Sequence, residues 1–477
     1  MTDPVVVVGG DAAGLSAASK LTREDPEREV IVFERGAWVS YAHCGIPYYV
    51  KGEVDDLTDL LSLRPEDVDD RGIDLRRRHE VTAVDTDAHT VTVEGPDGSF
   101  EQSYGNLLVA TGASAVSDPI PGSELDGAFT IHGLDSAATV RAAVTPPEEF
   151  SLEALGGGSF VDAERARYYG ERPAPDRVAI VGGGYVGVEM AEAFAAWDVE
   201  THLFQRSQRL LPAFGDAVAE TVESHLEEMG VHLHMGTPVD RLTGTDGNVT
   251  GLVCTDGTEL SIGLAVVGIG VRPNVDLLRD TPVELGDSGA VAVDEYGQTN
   301  VDEVYAAGDC AEDRHAVTGE PAWVPLGLTA NRAGRAIGQT LAGTPTPVGD
   351  IAGTAVVKAF EQECGRTGII DAEEARDAGF DPVSRTITAG SRSGYYPGNS
   401  ETTVTLVADR DSGRLLGGSI VGEDRAAIRI DTVATALESG LTVAEVERLD
   451  LAYAPPFSPV WDPVLVAAKV LNGALNE

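Results

Sequence analysis

Val5-Val6-Val7-Val8-Gly9-Gly10-Asp11-Ala12-Ala13-Gly14 opens the first readable unit of the chain, and Val178-Ala179-Ile180-Val181-Gly182-Gly183-Gly184-Tyr185-Val186-Gly187 repeats its plan further on. Each run of apolar, mostly β-branched residues predicts a buried strand, the glycines a tight turn, and the small residues that follow a helix. The first helix is expected over Ala12 to Leu21, and the next strand, Val30-Ile31-Val32-Phe33, ends on Glu34. The second unit continues into an apolar helix to about Trp197 and a strand from Thr201 to Phe204. Glycines at such a turn let the backbone approach a pyrophosphate, whose charge rests on the helix N-terminus, and an acid about 20 residues beyond the last glycine reaches a ribose. Glu34 stands at that spacing from Gly14, although Asp11 replaces the middle glycine of G-x-G-x-x-G; the second loop is complete. Two such units in one chain indicate one flavin and one nicotinamide dinucleotide.

At 477 residues the chain has room for about three domains, and its 42% apolar content supplies ordinary cores. Its charge is unusual: 78 Asp and Glu stand against 30 Arg and only 4 Lys, a net of -44. That balance excludes nucleic acid and anionic membrane as partners. The acids are interleaved with apolar runs along the whole chain, so a folded protein with an acidic surface is expected, adapted to a salt-rich, halophilic cytoplasm. No run approaches ~18 apolar residues and no signal peptide precedes Val5, so a soluble, cytoplasmic protein is expected. The four cysteines, Cys44, Cys254, Cys310 and Cys364, form no C-x-x-C pair, which argues against a disulfide framework and a structural zinc site; no metal is expected.

Leu107-Leu108-Val109-Ala110-Thr111-Gly112 reads as a buried strand ending in a small-residue turn, and Val304-Tyr305-Ala306-Ala307-Gly308-Asp309 as a strand closing on an acid. Taken alone, Asp309 reads by default as an ordinary helix N-cap. Pro146 to Pro175 is rich in Pro, Gly and acids without a clear period and is expected to be an acidic surface insertion. From about Thr344 the character changes, with strands expected at Val356 to Phe360, Val404 to Val407 and Leu416 to Val421 and an amphipathic helix at Ala426 to Ser439. Shortly after the first unit comes Ser40-Tyr41-Ala42-His43-Cys44-Gly45-Ile46-Pro47-Tyr48-Tyr49. A thiol at a helix start beside a cationic or hydrogen-bonding neighbour has its thiolate stabilised, which makes Cys44 the electron-relay candidate; outside a flavin context an inert buried cysteine is the commoner case.

These segments resemble the flavoprotein disulfide reductases of the pyridine nucleotide-disulfide oxidoreductase family. The resemblance implies an α/β architecture: two Rossmann-like, three-layer β-β-α dinucleotide-binding domains and an α+β carboxyl-terminal dimerisation domain. FAD would be held by residues 1–115 and 250–335, NAD(P)H by 116–249, which include the insertion near 146–175, and a homodimer would form through 344–477. It places FAD on Gly9, Gly10, Ala13, Gly14, Glu34, Arg35, Ala110, Thr111, Gly112 and Gly308, with Asp309 on the ribityl chain and Leu326 and Thr329 at the pyrimidine end. It places NADPH or NADH on Gly182, Gly184, Tyr185, Gly187, Gln205, Arg206, Arg209, Gly268 and Gly270.

The defining second cysteine of glutathione, lipoamide and mercuric reductases is missing, because residues 45 to 49 are Gly, Ile, Pro, Tyr and Tyr, and the last histidine is His315, so their carboxyl-terminal base is absent too. Cys-Gly-Ile-Pro-Tyr-Tyr, Ser393 to Gly398 and Leu451 to Ser458 most resemble the single-cysteine coenzyme A disulfide reductases, which are related to the NADH oxidases. That resemblance implies reduction of coenzyme A disulfide, or a similar small disulfide, through FAD and a mixed disulfide on Cys44. Oxygen reduction or polysulfide and persulfide reduction on the same scaffold are the alternatives, and a flavin-bearing interaction protein without turnover is a remoter one. Ser40 matches the family pattern, whereas His43 replaces its Asn and is either a hydrogen-bond donor to the thiolate or a packing substitution. Tyr396 and Tyr453 match proton donors of the third domain, or else form an aromatic interface with Phe457 and Trp461. After the strand ending at Phe204 stand Gln205-Arg206-Ser207-Gln208-Arg209 in place of an acid, and guanidinium groups suit a 2'-phosphate, so NADPH is expected to serve at least as well as NADH.

Overall fold

The computed structural model describes residues 3–475. Val5–Val8 is the middle strand of a parallel sheet ordered Val304–Ala306, Asn106–Val109, Val5–Val8, Val30–Glu34, Asp74–Arg77. Its four valines read as an unbroken apolar run because both faces of the sheet are covered. Val6 and Val8 pack with Ile31 and Phe33 against Val81, Val84, Val91 and Val93 of a three-stranded antiparallel sheet. Val5 and Val7 pack with Val30 and Val32 against Ala13, Leu15 and Ala17 of the helix Ala12–Glu24 and Ala330 and Ala333 of the helix Gly327–Leu341. These two helices touch closely: a side chain at Gly334 or Gly338 would place its Cβ 2.1 or 2.4 Å from the carbonyl oxygens of Ala13 and Ala17.

The second glycine unit builds the same three layers. Its parallel sheet runs His232–Met235, Glu200–Gln205, Arg177–Val181, Leu264–Val267, Ala128–Phe129, with a second antiparallel sheet over residues 239–261. The expected boundary at residue 249/250 falls inside the strand Asn248–Cys254 and is corrected by the pairing, because Leu264–Val267 bonds to Val178–Val181 and belongs to this sheet. The chain returns to the first domain through Val271–Pro273, antiparallel to Ala113–Ala115. The third domain is a five-stranded antiparallel sheet, Ala355–Ala359, Gln362–Gly368, Leu415–Gly422, Glu401–Asp409, Pro382–Gly390, packed on the helices Ala426–Glu438 and Pro463–Leu475.

The expected surface insertion is not a loose excursion. It carries short helices at Leu152–Leu155 and Ala163–Gly170 that bury Leu155, Ala166 and Tyr169. The Tyr49 hydroxyl donates to the Leu155 carbonyl at 2.7 Å, Gly157 N–H donates to Asp56, and Phe160 packs on Trp38 with ring centres 5.0 Å apart. The segment therefore backs the short helix Ile46–Lys51 that follows Cys44. On its other side that helix lies against the helix Tyr185–Ala195 of the second domain, where Trp197 Nε1 donates to the Val50 carbonyl at 2.8 Å. Buried Glu192 joins all three domains, accepting from Lys51, Lys358 and the Phe360 N–H. No described helix is long and apolar enough to cross a membrane.

Candidate active site

The first glycine turn is shaped by close backbone approach. Gly9 has φ +113° and a Cβ there would sit 2.1 Å from the Ala110 carbonyl oxygen; one on Gly14 would sit 1.9 Å from the Gly9 carbonyl oxygen. Glu34 ends the neighbouring strand and accepts the Gly10 N–H at 2.9 Å and the Gly36 N–H at 2.6 Å, and burial pushes its carboxyl up. Arg35 follows it. Ala110, Thr111 and Gly112 close the facing strand, with Thr111 Oγ1 donating to the Asn274 carbonyl at 2.6 Å. Gly308 lies over Ala13 and Ala330, and the Asp309 carboxylate beyond it makes no hydrogen bond among the described residues, although burial and the Asp11 charge push it up against the pull of His43. Leu326 caps the helix Gly327–Leu341, with Thr329 in its first turn. A glycine turn on a helix start, an acid at the ribose position and an acid without a partner suit FAD.

Ser40 ties the redox loop to this turn through its backbone, its N–H donating to the Gly10 carbonyl at 3.0 Å with φ 49°. Its hydroxyl makes no hydrogen bond among the described residues. His43 and Cys44 lie in a single tight turn, His43–Gly45, ahead of the helix Ile46–Lys51. Cys44 is exposed, whereas Cys254, Cys310 and Cys364 are buried. The structure corrects the expectation of a stabilised thiolate. Although the side chain reaches solvent, the chain packed around it desolvates the Cys44 thiol and pushes it up, as do Glu189 and then Asp309, opposed by a backbone hydrogen bond. His43 is not its hydrogen-bond partner either: Nδ1 donates to the His132 carbonyl at 3.0 Å and Nε2 to Asp11 Oδ2 at 2.5 Å.

Glu189 is the site residue that sequence reasoning missed. It lies two positions beyond Gly187 on the facing helix, and its carboxylate accepts from the Tyr48 hydroxyl at 3.0 Å. Burial, reinforced by Glu192, pushes its carboxyl to about 7. The only signal in the sequence was an acid on an apolar helix.

In the second turn, a Cβ on Gly182 would sit 2.2 Å from the Gly268 carbonyl oxygen and one on Gly187 would sit 1.9 Å from the Gly182 carbonyl oxygen, while Gly184 faces open space. Tyr185 begins the helix and packs edge-on against Phe214, and Gly270 (φ +126°) also borders open space. Gln205 takes the place of an acid, accepting the Gly183 N–H at 3.2 Å and donating to Ser207. Arg206 is exposed and no hydrogen bond or ion pair engages it among the described residues. Arg209 is not available as expected, because Glu220 and Glu223 hold its guanidinium.

Tyr396 and Tyr453 are exposed on the third domain, as are Tyr395, Phe457 and Trp461, and no hydrogen bond or ring contact joins either to Cys44 among the described residues. A charged hub ties their loops together. Asp424 accepts from Arg392 and Arg425, which also donate to the Pro397 and Pro456 carbonyls, each next to or near a tyrosine. Buried Arg429 donates to Asp462 and to the Ser391 and Phe457 carbonyls. Three arginines face two carboxylates there. Elsewhere Glu200, His202 and His232 gather on the second sheet, but Arg177 already holds both Glu200 oxygens.

Residues 3–331 match the pyridine nucleotide-disulphide oxidoreductase family and residues 354–463 its dimerisation domain. The chain is 39% identical over 475 residues to the NAD(P)H coenzyme A polysulfide/persulfide reductase of Pyrococcus horikoshii, covering 99% of each chain. It is 28% identical over 458 residues to a coenzyme A disulfide reductase of Staphylococcus aureus, covering 95% of this chain and 96% of the other. Among solved structures, a NAD-dependent persulfide reductase from A. fulgidus superposes with a TM-score of 0.90 at 32% identity, over 99% of this chain and 84% of that one.

Proposed function

Because this chain belongs to the pyridine nucleotide-disulphide oxidoreductase family, an oxidoreductase family that uses FAD and NAD(P)H, we propose that it cleaves a sulfur–sulfur bond carried by coenzyme A, as a homodimer, with Cys44 as its one redox thiol. The observation that carries this reading is the solitude of Cys44. It is exposed, and the three other cysteines are buried away from it, so no thiol of the chain can resolve its oxidised form. If the oxidised form is a disulfide, its second sulfur comes from a small molecule, and a mixed disulfide with coenzyme A supplies it; a sulfenic acid on Cys44 belongs to the oxygen-reducing reading.

The Gly9–Gly14 turn, Glu34 and Asp309 would hold FAD, which when bound would supply two-electron transfer between the nicotinamide and that disulfide. Two electrons and one proton split it into coenzyme A thiol and the Cys44 thiolate. The thiolate then attacks the coenzyme A sulfur of a persulfide, expelling hydrosulfide, or of a disulfide, expelling a second coenzyme A thiolate, and the mixed disulfide is restored. With a persulfide the sum is NAD(P)H, a proton and the persulfide going to NAD(P)+, coenzyme A and hydrogen sulfide. Tyr396 and Tyr453, exposed and joined to Cys44 by no hydrogen bond or ring contact among the described residues, protonate the leaving sulfur across the dimer interface, and the Asp424 hub holds their loops. Arg206 faces the 2'-phosphate of NADPH, the role that Arg209 cannot take.

Similarity to the persulfide reductases at 39% and 32% identity, against 28% for the disulfide reductase, favours the persulfide as substrate. The test is anaerobic NADPH oxidation with coenzyme A persulfide, with coenzyme A disulfide and with neither, beside mass spectrometry of Cys44. We expect a coenzyme A adduct on Cys44 that a reductant releases, and turnover that needs a sulfur acceptor and disappears in Cys44→Ser. An unmodified Cys44 with turnover on oxygen alone would sink the reading.

A further inference from the structure

Asp11, in place of the middle glycine of G-x-G-x-x-G, and His43, in place of the Asn that the resemblance puts before the redox cysteine, lie 32 residues apart and meet in space. Asp11 Oδ1 accepts the Tyr41 N–H at 3.0 Å, and Oδ2 accepts from His43 Nε2 at 2.5 Å. The other ring nitrogen, Nδ1, bonds the His132 carbonyl oxygen at 3.0 Å. A carbonyl oxygen only accepts, so Nδ1 donates to His132, and Nε2 donating to an ionised Asp11 makes the ring an imidazolium. Burial pulls its pKa down, but the hydrogen bond and charge of Asp11 outweigh burial and hold it above the ordinary histidine value. The ring is also braced by Tyr41, with centres 4.2 Å apart.

Glycine at position 11 would let a pyrophosphate approach the backbone closely. An aspartate there sets a negative charge against the dianion, and Asp309 adds a second acid nearby. We propose that Asp11 and His43 form a co-dependent ion pair, in which the imidazolium cancels the acid of the glycine turn so that the turn can hold the FAD pyrophosphate, and locks the Tyr41–Cys44 loop onto that turn. His43 is then a positioning residue and not the thiolate partner. This rests on FAD occupying the first glycine turn, and the pair explains both departures with one contact: neither residue fits the site without the other.

The test compares Asp11→Gly, His43→Asn and the double variant by the dissociation constant of FAD, titrated into apoprotein by flavin fluorescence. His43→Asn leaves Asp11 uncompensated and is expected to weaken FAD at least about tenfold. The double variant should return to within about threefold of the wild type. The affinity of the wild type should fall as the pH rises through the His43 titration, in a field set by Asp11, Asp309, His132, Tyr41 and Arg35, and the double variant should lack that step. Unchanged affinity in His43→Asn, or a double variant no better than the single, overturns the proposal. If His43→Asn does not fold, the double variant decides: folding with FAD bound supports the pair, and failure to fold overturns it. A wild type that binds no FAD at all would instead remove the family-based reading on which the pair rests.

Discussion

Cys44 sits among acids. Burial raises its thiol, and Glu189 and Asp309 raise it further against a backbone hydrogen bond. Glu189 is itself pushed to about 7, mainly by burial, so its charge develops near neutral pH and acts on the thiol from there upward. Replacing it in Glu189→Gln removes that charge, and the Cys44 pKa should fall. Alkylation of reduced Cys44 by iodoacetamide near neutral pH should then quicken about three- to tenfold. Because the folded pKa of Glu189 lies above its ordinary value, the stability it contributes is present below that ordinary value and lost as the pH rises to about 7; Glu189→Gln should flatten this window in thermal melts. An unchanged alkylation rate would show that the Glu189 charge does not reach the thiol. Cys44 was legible because its motif is local. Glu189 was not, since its effect exists only where the helix Tyr185–Ala195 meets the turn His43–Gly45, and burial of an acid leaves no mark in a sequence.

The two arginines after the second nucleotide strand look interchangeable in the sequence, and the neighbouring helix Asp216–Glu228 separates them. It turns Glu220 and Glu223 onto Arg209 and leaves Arg206 exposed. Arg206→Ala should therefore lower the ratio of kcat/KM for NADPH to that for NADH by about tenfold or more. Arg209→Ala should keep the ratio within about twofold and lower Tm by a few degrees, since half-exposed pairs contribute little each. Equal loss of preference in both variants would contradict this division. The residues 146–175 teach the same lesson at larger size. Their composition reads as loop, yet Leu155, Phe160 and Tyr169 find apolar partners around Trp38, Tyr49 and Phe129, and those contacts outweigh the weak local propensity.

Across the whole molecule, a net charge of -44 repels both NADPH and a coenzyme A substrate. Raising the salt from about 0.1 M to about 1 M shortens the screening length from about 10 Å to about 3 Å. We expect kcat/KM for both substrates to rise severalfold over that range, with Tm rising as self-repulsion fades. Full activity and stability in dilute buffer would refute this. The three domains also need opposite charges where they meet, and two of the four lysines, Lys51 and Lys358, are used on Glu192 at that junction. By itself the sequence determined the two nucleotide folds, the third domain, the absence of a C-x-x-C pair around Cys44 and the acidic composition, because strand runs, glycine turns, cysteine spacing and composition are properties of neighbouring or summed residues. Only the tertiary structure decided which domain owns Leu264–Val267, which arginine stays free, what surrounds the Cys44 thiol and that His43 answers Asp11. Each of these depends on which distant segments the packing brings within a few ångströms, where hydrogen bonds and desolvation act.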